Sequence, residues 1–214
     1  MNVNDDLKVI WWLPTRTASR SVGEIVGHYN FYNYLTKQPC NQSYTHSIGI
    51  PEHCENYTII SNIRNPYAKV LSTWHLRCFH SDENKNCVID MPFSEFVQNG
   101  LNTHSEEHQV ISQKKKPDIY IRTEHLIEDL KKVKFIDFEN ESIQHIMSVW
   151  INKNNYTSEG CQDNWNPKFD LKRDDKNPLL TDYLSYYTQK ELDMVWEVYK
   201  DVFVEFGYQR EFIR

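Results

Sequence analysis

Apolar and polar positions along the chain follow two rhythms. Leu7 to Leu13 is a short continuous apolar run, as a buried strand requires. Tyr57 to Ile63 is a clearer run of the same kind, and Asp118 to Arg122 a third. A further strand is expected near Ser43 to His46. Between these runs the spacing becomes helical. Val22, Ile25, Val26 and Tyr29 share one helix face after Arg20, as do Val70, Leu71 and Trp74 after Pro66. Proline suits the first position of a helix, so a helix is predicted to open at Pro66. Another is predicted from about Glu124 to Val133.

The C-terminal third reads as helical. Ile143, Ile146, Met147, Trp150 and Ile151 form one stripe. Leu192, Val195, Trp196, Tyr199 and Phe203 form the last. Thr188 with Glu191 three residues on makes a capping box, and Gly207 supplies a left-handed stop. Strands alternating with helices predict an α/β fold. We expect a single domain over residues 1–214, with a mainly parallel sheet of about four to five strands flanked by helices. Ligands in such sheets bind beyond the carboxyl ends of the strands.

Composition narrows the function. A length of 214 residues suits one domain with a full core. The formal net charge is −6, which argues against a nucleic-acid binder, since such proteins need a dense basic face. The run Lys114-Lys115-Lys116 reads as a solvated loop. No apolar stretch is long enough to span a membrane, and the polar start Met1 to Asp6 is unlike a signal peptide. A cytoplasmic protein is therefore expected, with its five cysteines as free thiols. Their spacing contains no C-x-x-C pair, and no metal is expected. The sequons at Asn41, Asn56, Asn140 and Asn155 then carry no meaning. Oligomeric state is not legible in the sequence.

Two stretches carry candidate chemistry. Pro14-Thr15-Arg16-Thr17-Ala18-Ser19-Arg20-Ser21 joins the first strand to a helix. Small residues, hydroxyls and two guanidiniums at a helix N-terminus suit an anion. Taken alone, this loop fits an ordinary strand–turn–helix with a serine cap slightly better. It is not a nucleoside-triphosphate loop, because it has no glycine. In the second stretch Arg64 closes a strand, Asn65 and Pro66 open a helix, and Ser72 lies two turns in. A guanidinium and a hydroxyl can share one phosphate. A surface ion pair for Arg64 is the plainer alternative.

Arg64 and Ser72, eight apart across a strand-to-helix turn, resemble the 3′-phosphate motif of sulfotransferases that use 3′-phosphoadenosine 5′-phosphosulfate (PAPS). The first loop then resembles their 5′-phosphosulfate loop, with Arg16 where lysine is usual and Thr17, Ala18 and Ser19 around the 5′ side. Tyr120 to Leu126 with Glu128-Asp129-Leu130 is similar to a segment of the carbohydrate-type enzymes, as is Asp182 to Tyr208 to their closing helix. The likeness runs from about residue 8 to 210.

The resemblance implies a P-loop-like fold and transfer of a sulfuryl group from PAPS to an acceptor hydroxyl, on a carbohydrate or glycolipid, releasing 3′,5′-phosphoadenosine (PAP). It implies His46 as the base, with Glu52, His53 and His75 as weaker substitutes and His108 lining the acceptor cleft. Arg16 would stabilise charge on the leaving group, though it is a poor proton donor. Arg20 and Ser21 would add contacts to the loop's anion. Lys172 and Arg173, with Lys168, would close over the donor, and Trp165 would stack on a ring; a plain exposed loop is the equal alternative for this stretch. The alternatives are a non-catalytic nucleotide-binding module on the same fold and a small nucleotide-dependent phosphotransferase.

Overall fold

The computed structural model describes residues 1–40, 46–79, 91–153 and 183–213. The described residues of Met1–Asn65 and His104–Ser148 form one compact unit, and those of Pro66–Thr103 and Val149–Arg214 a second. Each unit is assembled from separate stretches of chain, which is why no linker marks either of them in the sequence.

The first unit holds a five-stranded mixed sheet. Its strands are β1 (Asn2–Asn4), β2 (Val9–Trp12), β3 (Tyr32–Asn33), β4 (Thr58–Ile63) and β5 (Ile119–Arg122). Their spatial order is β3-β1-β2-β4-β5. The strands expected from the alternation, β2, β4 and β5, run parallel, with Trp11 opposite Ile60 and Asn62 opposite Ile121. An antiparallel ribbon of β1 and β3 extends the sheet beyond β2.

Helix α1 (Ser19–His28) follows β2. Val9, Trp11 and Leu13 alternate onto the sheet face that packs with Val22, Ile25 and Val26 of this helix. Ile60 and Ile121 share that core with Phe31, Leu130, Val133 and Ile143. The helix expected over Glu124 to Val133 is shorter than its pattern. A 3-10 turn at Thr123–His125 leads into α5 (Leu126–Leu130). Part of the expected strand at Ser43 to His46 lies outside the described residues, and His46 itself has irregular backbone.

The second unit is helical among the described residues: α2 (Pro66–Phe79), α3 (Phe93–Asn99) and α7 (Gln189–Phe206). Helices α4 (Glu106–Ser112) and α6 (Glu141–Lys153) fall between α3 and α7 in the chain. Aromatic rings fill the second unit's core: Tyr67 meets Phe203 at 4.8 Å, and Phe93 meets Tyr187 at 4.8 Å. The Tyr187 hydroxyl is buried but donates to the Tyr67 carbonyl at 2.7 Å, so its polar end is satisfied. The expected capping box of α7 is present, and Gly207 ends the helix at φ 72°. Among the described residues no helix is long and apolar enough to cross a membrane.

Candidate functional site

Parallel strands β2 and β4 end at the same edge of the sheet, so the segments leaving them are neighbours. The loop after β2 has an unusual backbone. Arg16 (φ 63°) and Ala18 (φ 56°) both adopt the left-handed conformation without being glycine. Each costs roughly 1–2 kcal/mol, so the surroundings must hold them there.

The holding groups come from four places. The Thr17 hydroxyl donates to the Pro14 carbonyl at 2.6 Å. Asn62, near the end of β4, donates from Nδ2 to the Thr17 carbonyl at 2.7 Å. Its Oδ1 accepts from the Trp11 indole at 2.9 Å, so one buried amide ties the loop to the core. Arg64 donates from Nη1 to the Arg16 carbonyl at 3.1 Å. Glu106, in the first turn of α4, accepts from the Thr15 backbone N–H and, at 2.8 Å, from its hydroxyl.

These bonds decide which way the loop's dipoles face. The carbonyls of Arg16 and Thr17 are drawn towards Arg64 and Asn62. The peptide bonds are all trans. In a trans peptide the N–H points opposite to the C=O. The N–H groups of Thr17 and Ala18 therefore point away from Arg64 and Asn62. Ala18 is also the N-cap of α1 and makes no side-chain cap bond. The helix begins at buried Ser19, with buried Ser21 in its first turn. Successive N–H groups of this kind at a helix start form an anion-binding concavity.

His46 approaches the same edge. Its Nδ1 contacts the Leu13 carbonyl at 2.5 Å. A carbonyl only accepts, so Nδ1 carries the hydrogen, and in the neutral ring Nε2 carries the lone pair. A second bond fixes this segment: Trp12 Nε1 donates to the Gly49 carbonyl at 2.9 Å.

Below the loop, the Arg122 segment is structural. Asp129 is buried and accepts from Arg122 Nε at 2.8 Å and Nη2 at 2.9 Å, and from Lys132 at 2.5 Å. Burial alone would raise the Asp129 carboxyl. The bonds from Arg122 and Lys132 outweigh it and hold the group well below the ordinary carboxylate range. Thr123 Oγ1 donates to the Ile63 carbonyl at 3.0 Å, and Glu124 accepts from the Asn65 N–H at 2.9 Å. The end of β4 is thereby fixed from the β5 side.

Of the candidate residues, Arg16, Thr17, Ala18, Ser19, Ser21, His46 and Arg64 all lie in the first unit at this edge. Arg20 lies in the first turn of α1. Ser72 is buried in α2, in the second unit. Lys168, Lys172, Arg173 and Trp165 lie outside the described residues. His53 pairs with Asp5 at 3.6 Å, at the amino ends of the strands rather than beside the loop. His108 Nδ1 is 2.9 Å from Ser105 Oγ at the start of α4.

Asn62 and Glu106 have no role in the sequence-based reading. A polar pair, Ser61-Asn62, inside an isoleucine-rich strand was the available signal for the first. Glu106 carries no comparable mark, because its partner Thr15 is 91 positions away. Comparison with protein-family models, with curated proteins and with solved structures finds no match.

Proposed function

We propose that this chain is a sulfotransferase on a P-loop-like fold, moving a sulfuryl group from PAPS to a hydroxyl of a carbohydrate or glycolipid. The observation that carries the reading is the bond from Arg64 to the Arg16 carbonyl. It joins the two stretches that resemble the donor motifs at one sheet edge. The roles assigned here all fall to residues of the first unit.

The Thr17 and Ala18 N–H groups, with Ser19 and Ser21, receive the 5′-phosphosulfate. Arg16 faces the charge that develops there. The Arg64 guanidinium, buried at the end of β4, receives the 3′-phosphate through charge-assisted bonds. His46 Nε2 takes the acceptor proton as the hydroxyl oxygen bonds to sulfur. The bond from sulfur to the bridging oxygen breaks, and its electron pair stays on the 5′-phosphate of PAP. Such in-line transfer depends on positioning and on charge stabilisation.

The test is sulfate transfer from labelled PAPS to a panel of saccharides and glycolipids. The wild-type chain should label at least one of them. His46→Ala should abolish labelling while leaving PAP affinity unchanged. Labelling at the wild-type rate by His46→Ala would remove that histidine from the chemistry.

A further inference from the structure

The fold gathers a second cluster at the sheet edge opposite the loop, at the amino ends of β2 and β4. Asp5 comes from the turn between β1 and β2, and His53 and Cys54 from the 3-10 turn Glu52–Cys54. One ligand atom from each lies within 4.8 Å of the other two. His53 and Cys54 are neighbours in the chain, and only the fold brings the distant Asp5 to them.

Several features make this a built arrangement rather than a chance one. Tyr57 donates to Asp5 Oδ1 at 2.8 Å, and Tyr32 to Oδ2 at 3.0 Å, so both carboxylate oxygens are oriented. The His53 ring lies over Tyr34, with centroids 5.8 Å apart and planes 30° apart. The Cys54 turn is closed by its own N–H to the Pro51 carbonyl at 2.8 Å and by Tyr57 N–H to the Cys54 carbonyl at 2.9 Å. Cys54 is a free thiol and fully buried, whereas the Asp5 and His53 side chains are 47% and 51% exposed. The sulfur is thus the floor of a site that opens to water on the Asp5–His53 side.

We propose that Asp5, His53 and Cys54 bind a divalent cation of the zinc class, with a fourth position open to solvent. A sulfur, a nitrogen and an oxygen donor match zinc. Calcium and magnesium require oxygen shells and do not fit. The two tyrosine hydroxyls act as the outer shell that fixes the carboxylate. Lys8, 3.3 Å from the Tyr57 hydroxyl, and Lys37, 4.0 Å from the Tyr34 ring centroid, face the same cluster. Their charge weakens the site relative to a closed four-ligand one.

Cobalt is the probe, titrated into the reduced, metal-free full chain. The expected result is a one-to-one complex with a near-ultraviolet thiolate-to-cobalt charge-transfer band, bleached by zinc. Cys54→Ser should remove the band, and Cys40→Ala, at the other buried free thiol among the described residues, should keep it. His53→Ala changes a half-exposed side chain, so its metal-free melting temperature should match the wild type. It should weaken zinc at least about tenfold, 1.4 kcal/mol. Absence of the band, or a band that survives Cys54→Ser, overturns the site. If Cys54→Ser does not fold, unchanged zinc affinity in both His53→Ala and Asp5→Asn overturns it.

Discussion

Asn62 is a buried amide whose two ends serve different parts of the first unit, and replacing it separates loop geometry from core packing. Asn62→Ala removes the acceptor for the Trp11 indole N–H and the donor to the Thr17 carbonyl. Trp11, Thr17 and Asn62 are each 0% exposed, so water does not replace either bond. A buried polar group left without its partner costs about 1–3 kcal/mol. Two such groups together give about 2–6 kcal/mol, a large share of the roughly 5–15 kcal/mol that stabilises a typical domain. With a urea slope of about 2–3 kcal/mol per molar, the unfolding midpoint should fall by about 0.7–3 M.

Circular dichroism in urea measures that shift, and calorimetry of PAP binding measures the effect on the loop. Asn62→Asp gives an internal sign check. Burial and the facing Thr17 carbonyl disfavour the charged carboxylate, so its pKa in the folded protein is raised. The defect should therefore be smallest below about pH 4, where the protonated carboxyl can donate, and should grow as pH rises. An unfolding free energy for Asn62→Ala within about 0.5 kcal/mol of the wild type would refute the reasoning, since such differences are typical of surface positions.

Two further outcomes follow from the same geometry. The Asp129 carboxyl is lowered in the folded state, so its contribution is complete above the unfolded carboxylate pKa of about 3.9 and is lost as pH falls below it; melting curves against pH should show the wild type losing stability there faster than Asp129→Asn, and parallel curves would contradict the pairing. Arg64→Ala should weaken PAP binding at least about tenfold and also cost about 1–2 kcal/mol of stability, because it removes a buried bond to the Arg16 carbonyl; unchanged stability would show that the loop does not need that bond.

The elements most legible in the sequence are those whose side chains alone specify them. Strands β2 and β4 are apolar runs buried on the sheet, β5 is half-buried around Ile121, and α7 carries its cap, its stripe and its stop within one segment. Strand β1 was illegible because two of its three residues are asparagines. Their burial makes sense only with distant partners: Asn2 donates to the Trp11 carbonyl at 2.9 Å, and Asn4 to the Tyr29 carbonyl at 2.6 Å. Strand β3 has two residues and no pattern to detect.

The candidate site divides in the same way. Arg16 and Arg64 stand out because charged residues follow apolar runs, and His46 stands out through the family resemblance alone. The groups that shape the loop, Asn62 and Glu106, act across 45 and 91 positions and need the fold to be seen. The left-handed backbone at Arg16 and Ala18 was equally hidden, since neither residue type favours it. The Asp5–His53–Cys54 cluster is hidden for the same reason, being assembled by the β1–β2 turn and the approach to β4.

The central claim is that two anion-receiving groups share one sheet edge and together select an adenosine carrying phosphates at both the 3′ and 5′ positions. Titration calorimetry of the wild-type chain with PAP and with 5′-AMP tests it directly. The account predicts that PAP binds at least about tenfold more tightly, a difference of 1.4 kcal/mol or more, and that Arg64→Ala erases the difference. Equal affinity of the wild-type chain for the two nucleotides would contradict it.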